Sequence, residues 1–70
     1  MTQQAFGSAL KRLRESRDLT QSGLASLAMI SLRSLRAYEQ GTRSPPLAIV
    51  HRLCSIMSAS VDSLLADDSK

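Results

Sequence analysis

The sequence predicts an all-α fold, a compact set of five short helices, and three observations carry that expectation. Apolar residues recur at steps of three and four along most of the chain, capping and stopping residues punctuate the recurrence, and no segment alternates with the period of two that a half-buried strand requires. With 70 residues, 1–70 read as one domain, near the lower size at which packing alone sustains a fold. The single cysteine, Cys54, closes no intrachain disulfide, so stability rests on packing and suits a reducing compartment.

Phe6, Leu10 and Leu13, continued by Arg14 and Arg17, define an amphipathic first helix over roughly residues 3–17. Asp18 follows where a chain leaving a helix often turns left-handed, a conformation Asp tolerates better than most residues. Thr20 is a good N-cap for a second helix over residues 21–28, whose inward face is Leu24, Ala25 and Ala28. Ser31 caps a third helix running from Leu32 to about Gln40, and Gly41 stops it. Pro45 and Pro46 suit a loop and the first turn of a fourth helix, which buries Leu47, Val50, Leu53, Cys54 and Met57. Ser60 caps a last turn over residues 61–65, with Asp62 near its positive end.

Charge is unevenly spread. The formal net charge is +3, yet all but one of the nine Lys and Arg fall between Lys11 and Arg52, while half of the six acids, Asp62, Asp67 and Asp68, sit at the carboxyl end. A basic body with a short acidic tail over residues 66–70 suggests an anionic partner, most simply nucleic acid; the plainer alternative is a solvated basic surface. Phe6 and Tyr38 are the only aromatic residues, too few for the stacking platforms of single-strand binders, so duplex DNA fits better. No apolar run approaches the roughly 18 residues of a membrane span, and the amino end lacks the order of a signal peptide. A soluble, cytoplasmic protein is expected.

On the third helix, Leu32, Arg33, Arg36, Ala37 and Gln40 share one arc, and Ser34, Leu35, Tyr38 and Glu39 the other. The second arc suits a core. The first does not, and an α-helix in the major groove lets Arg donate two hydrogen bonds to guanine and an apolar side chain touch a thymine methyl. Arg33 is the leading base reader, with Leu32 against a methyl group, Ala37 beside them, and Arg36 on a base or a phosphate. The unpaired N–H groups at the start of the second helix, where Gln21 stands, offer a seat for phosphate oxygen. Ser31, Gln40, Thr42 and Arg43 flank the third helix as further phosphate contacts, with ordinary polar loop residues as the alternative for Thr42.

Leu19-Thr20-Gln21, Leu24-Ala25, Glu39-x-Gly41 and Arg43-x-Pro45 together resemble the Cro/repressor-type (XRE) helix-turn-helix family of bacteria and their phages, over about Leu10 to Leu65. The resemblance implies a lambda-repressor-like five-helix domain, with the helix-turn-helix at about residues 20–40, binding operator DNA as a dimer. It implies that Gln21 contacts backbone phosphate and supports the first residue of the third helix, and that an ion pair between Arg14 and Glu39 locks the third helix to the scaffold. Met29 stands where the family usually has Gly; a left-handed backbone there costs a side chain roughly 1 kcal/mol.

A homodimer is expected because one recognition helix covers few base pairs, whereas two copies span half-sites about 34 Å apart. Ile49 and Ile56, off the main buried arc of the fourth helix, with Leu64 and Leu65, are the candidate dimer stripe; the alternative is that the isoleucines enlarge the core. His51 and Cys54 stand three apart, but two ligands make no structural zinc site, and no nucleophile, base and orienting group can be assembled. A DNA-binding transcriptional regulator, a repressor without cofactor or small-molecule ligand, is therefore expected, and not an enzyme. The competing reading is a protein-binding module, an antitoxin, antirepressor or adaptor, that keeps the fold and uses another surface.

Overall fold

The computed structural model describes residues 2–65, and the backbone alone of Ser63 and Leu65. The expected acidic tail, 66–70, lies outside the described residues. Four helices carry the architecture: α1 (Gln3–Ser16), α2 (Gln21–Ala28), α3 (Leu32–Gln40) and α4 (Leu47–Ile56). A single turn, α5 (Val61–Leu65), follows, and no strand occurs among the described residues. Of the five short helices expected, four run two turns or more, and the expected last turn over residues 61–65 is a five-residue turn and not a fifth helix of that size.

The helices begin and end by repeated devices. Thr2, Thr20 and Ser31 stand in extended backbone ahead of α1, α2 and α3, and their hydroxyls accept from the N–H three residues on, at 2.9, 2.9 and 3.0 Å. Each such cap contributes about 1 kcal/mol. Pro46 precedes α4 with no side-chain cap, and its carbonyl accepts from Ile49 and Val50. At the other ends, the N–H groups of Leu19, Ile30, Thr42 and Ala59 reach back five residues to the carbonyls of Arg14, Ala25, Ala37 and Cys54, at 3.2, 3.0, 3.0 and 2.9 Å. The residue before each is left-handed: Asp18 (φ 57°), Met29 (60°), Gly41 (80°) and Ser58 (54°). Only Gly41 takes that conformation without strain; the other three each cost about 1 kcal/mol, offset by carbonyls that would otherwise be orphaned.

The core is formed by Leu10 of α1, Leu24, Ala25 and Ala28 of α2, Leu35 and Tyr38 of α3, Val50, Leu53 and Cys54 of α4, then Met57 and Leu64. α1 and α3 meet backbone to backbone at Gly7, where a Cβ would lie 2.5 Å from the Glu39 carbonyl oxygen and 2.6 Å from that of Tyr38. Any side chain there separates the helices. Two expectations fail. Leu47, placed on the buried face of α4, is 67% exposed, because at the first turn the apolar stripe overruns the core and reaches the rim of a groove between α1 and α4. Leu64, placed in a dimer stripe, is fully buried: α5 folds back against α1 and α4, so its own chain already absorbs it.

Candidate nucleic-acid interface

The site rests on a buried ion pair. Arg14 lies near the end of α1 and Glu39 on the inner face of α3, both buried. Arg14 Nε donates to Glu39 Oε2 at 2.7 Å, Nη2 to Oε1 at 3.2 Å, and Nη1 to the Leu19 carbonyl at 2.8 Å. The hydrogen bond to Glu39 raises the Arg14 pKa against the opposing effect of burial. Among the described residues, no buried side-chain nitrogen or oxygen lacks a partner. A bidentate, fully bonded pair of this kind fixes the rotation of α3 about its axis, and so what α3 shows outward.

Its outer arc carries Arg33, Arg36 and Gln40, all exposed, with Leu32 and Ala37 half-buried between them. Arg33, Arg36, Ala37, Gln40, Thr42 and Arg43 line one open depression. Arg43 also lies over the Tyr38 ring, 5.9 Å from its centroid. Gln21, the first residue of α2, is half-buried; its Nε2 donates to Glu39 Oε1 at 3.0 Å, and its Oε1 accepts from Arg36 Nε at a long 3.5 Å. Ser31 and Thr42 differ from the other candidates. The Ser31 hydroxyl accepts from the Ser34 N–H and donates to Ser34 Oγ, and the Thr42 hydroxyl donates to the Ala37 carbonyl, so neither has a proton free for a phosphate in this arrangement.

Arg17, expected only to continue the periodicity of the first helix, and Arg52, expected only as part of the basic body, have defined partners. Arg17 Nε donates to the Met57 carbonyl and Arg52 Nη1 to the Ala28 carbonyl, each at 2.8 Å, which puts a cation on the negative ends of α4 and α2. A basic residue near a helix end is a recognised capping signal, but each of these serves a different helix, 40 and 24 residues away. Of the candidate dimer residues, Ile49 and Ile56 are half-buried against the core, and the Leu65 side chain lies outside the described residues. Cys54 is buried in the core, which pushes its thiol pKa up, while His51 is exposed, so the two do not meet on one surface.

These features define a small α-helical domain in which a second helix braces a third that presents cations to solvent. The chain belongs to the helix-turn-helix domain family, whose pattern it matches over residues 5–66. It is 34% identical over 62 residues to the cryptic phage CTXphi transcriptional repressor RstR of Vibrio cholerae, covering 89% of this chain and 56% of that protein. It is also 34% identical over 63 residues to the antitoxin PezA of Streptococcus pneumoniae, covering 90% of this chain and 40% of that one. Among solved structures, the restriction-modification controller protein C.AhdI of Aeromonas hydrophila superposes with a TM-score of 0.85 at 26% identity, over 89% of this chain and 94% of that one. The chain spans about half the length of the curated relatives it matches.

Proposed function

We propose that this chain is a sequence-specific double-stranded DNA-binding transcriptional regulator of the cytoplasm, a repressor that reads operator half-sites as a homodimer. The observation that carries the reading is the gathering of Arg33, Arg36 and Arg43 around one open depression on α3 and the loop after it, with α3 held by the Arg14–Glu39 pair. Arg33 reads a base edge, Leu32 and Ala37 meet thymine methyl groups, and Arg36 adds a second guanidinium. Gln40, Arg43 and the amino end of α2 grip phosphates; Ser31 and Thr42 join them only by releasing the bonds their hydroxyls now make. Residues 1–70 act as one domain, with α5 as the fifth helix of a lambda-repressor-like arrangement, and the proposal assigns no cofactor and no catalysis.

A second copy completes the reading: one copy carries a single α3, which covers few base pairs, whereas half-sites one helical turn apart lie roughly 34 Å from each other. The exposed parts of Ile49 and Ile56 are the proposed contact between copies. Selection of bound duplexes from a random pool tests all of this at once: a palindromic consensus is expected, and a featureless pool overturns the reading. The likeness to an antitoxin favours a second one, a protein-binding module on the same fold. Unchanged retention of duplex by Arg33→Ala, Arg36→Ala protein decides for that alternative.

A further inference from the structure

If α3 and the loop after it face DNA as proposed above, then we infer that Gln3 is a positioning residue, which tethers that loop to the first turn of α1 and so holds Arg43 ready to meet a phosphate. Gln3 Nε2 donates to Ser44 Oγ at 2.6 Å, across 41 residues of chain. Ser44 is the next residue after Arg43, whose guanidinium lines the cationic depression and lies over the Tyr38 ring.

The sequence explains why a side chain does this. The start of the loop is held by backbone, since the Thr42 N–H reaches the Ala37 carbonyl at 3.0 Å. Pro45 and Pro46, at its other end, have no N–H to give, so the backbone offers no donor after Ser44 and the Ser44 hydroxyl serves as the anchor. α1 is close enough to take it. As the chain advances from Glu39 to Gly41 and Ser44, its contact on α1 retreats from Gly7 to Gln4 and Gln3: a Cβ at Gly7 would lie 2.5 Å from the Glu39 carbonyl oxygen, and one at Gly41 would lie 2.8 Å from Gln4 Cα. Gln3 and Ser44 are exposed, but they line a groove with Phe6, Pro45 and Leu47, and apolar neighbours limit the water that competes for the bond. A loop restrained before DNA arrives has less freedom to lose on association. Gln3 thus acts through Arg43, and this role differs from a phosphate contact of its own, which would be independent of Arg43.

The test is a double-mutant cycle with Gln3→Met, Arg43→Ala and the double variant, binding a duplex taken from the selection above. Gln3→Met keeps the length of the side chain and removes the donor. It should weaken binding about three-fold, near the low end of the ordering penalty for one rotamer-rich side chain, and add nothing to Arg43→Ala. Additive losses, or no loss from Gln3→Met, overturn the inference. A second readout needs no DNA: relaxation of the Ser44 amide N–H in the free protein should report a restrained loop that becomes mobile in Gln3→Met. Equal mobility in both proteins defeats the tether, whereas a wild-type chain that holds no duplex defeats the proposed function.

Discussion

Arg14, Arg17 and Arg52 bond to a carboxylate and to backbone carbonyls of the fold, whereas Arg33, Arg36 and Arg43 line the open face of α3 and its following loop, Arg36 reaching Gln21 at a long 3.5 Å. All six add equally to the net charge of +3, so that number describes the chain and not its interface. The inward set answers fixed negative groups, a carboxylate and the carbonyl ends of three segments. The outward set is concentrated where few acids oppose it, and this makes a modest total charge sufficient for an anionic partner. The two sets should separate experimentally: loss of an inward arginine lowers stability, and loss of an outward one lowers DNA affinity.

The largest effect is expected at Arg14. Arg14→Ala strands the Glu39 carboxylate inside the fold and should cost about 3–5 kcal/mol, read as a fall in melting temperature of at least about 12 °C. Glu39 raises the Arg14 pKa, so the stabilisation is complete below the ordinary arginine value and is lost only as pH rises through the raised one. The gap between wild type and variant should therefore be equal at about pH 7 and about pH 9. Arg33→Ala should do the reverse: stability within about 0.5 kcal/mol of wild type, and a loss of about 1–3 kcal/mol in binding, confined to duplexes carrying the preferred base. A comparable loss on every duplex would move Arg33 from base reading to phosphate contact. Arg52→Met should cost about 1 kcal/mol in stability through the bond to Ala28 and leave the salt dependence of DNA binding untouched. A changed salt dependence would place Arg52 in the outward set.

Local pattern revealed the helices because caps and stops act within a few residues: Thr20, Ser31 and Gly41 mark their boundaries through contacts to near neighbours. The left-handed Asp18 was legible from its position after α1, and Met29 from the resemblance, but Ser58 was not, since the sequence around it resembles a continuing helix. The two arcs of α3 could be separated because Leu35, Tyr38 and Glu39 recur at helical steps. Glu39 declared its partner Arg14 only through the resemblance, for no periodicity links residues 25 apart. Arg17 and Arg52 stayed hidden for the same reason: their acceptors are backbone carbonyls on distant helices, which any residue type supplies. Leu47 and Leu64 failed at element ends, where periodicity says which face a residue shares but not how far the neighbouring helices extend to cover it.

Arg43 is the hardest case for a division into inward and outward arginines, since it lines the cationic depression and also lies 5.9 Å over the ring of the buried Tyr38. The ring contact at an exposed site contributes at most about 0.5–1 kcal/mol, so Arg43→Ala should lower stability by no more than about 0.5 kcal/mol once water solvates the freed ring face. Its charge, however, sits in the loop after α3, where a phosphate contact carries no sequence information. Removing it should weaken all duplexes alike and reduce the slope of log affinity against log salt by about one. Arg43→Lys keeps the charge and should restore that slope while leaving the small stability loss in place, because an ammonium stacks on the ring less well than the planar guanidinium. A change in sequence preference in either variant would instead set Arg43 beside Arg33 as a reader of bases, and the boundary of the recognition surface would then run past Gly41 into the loop.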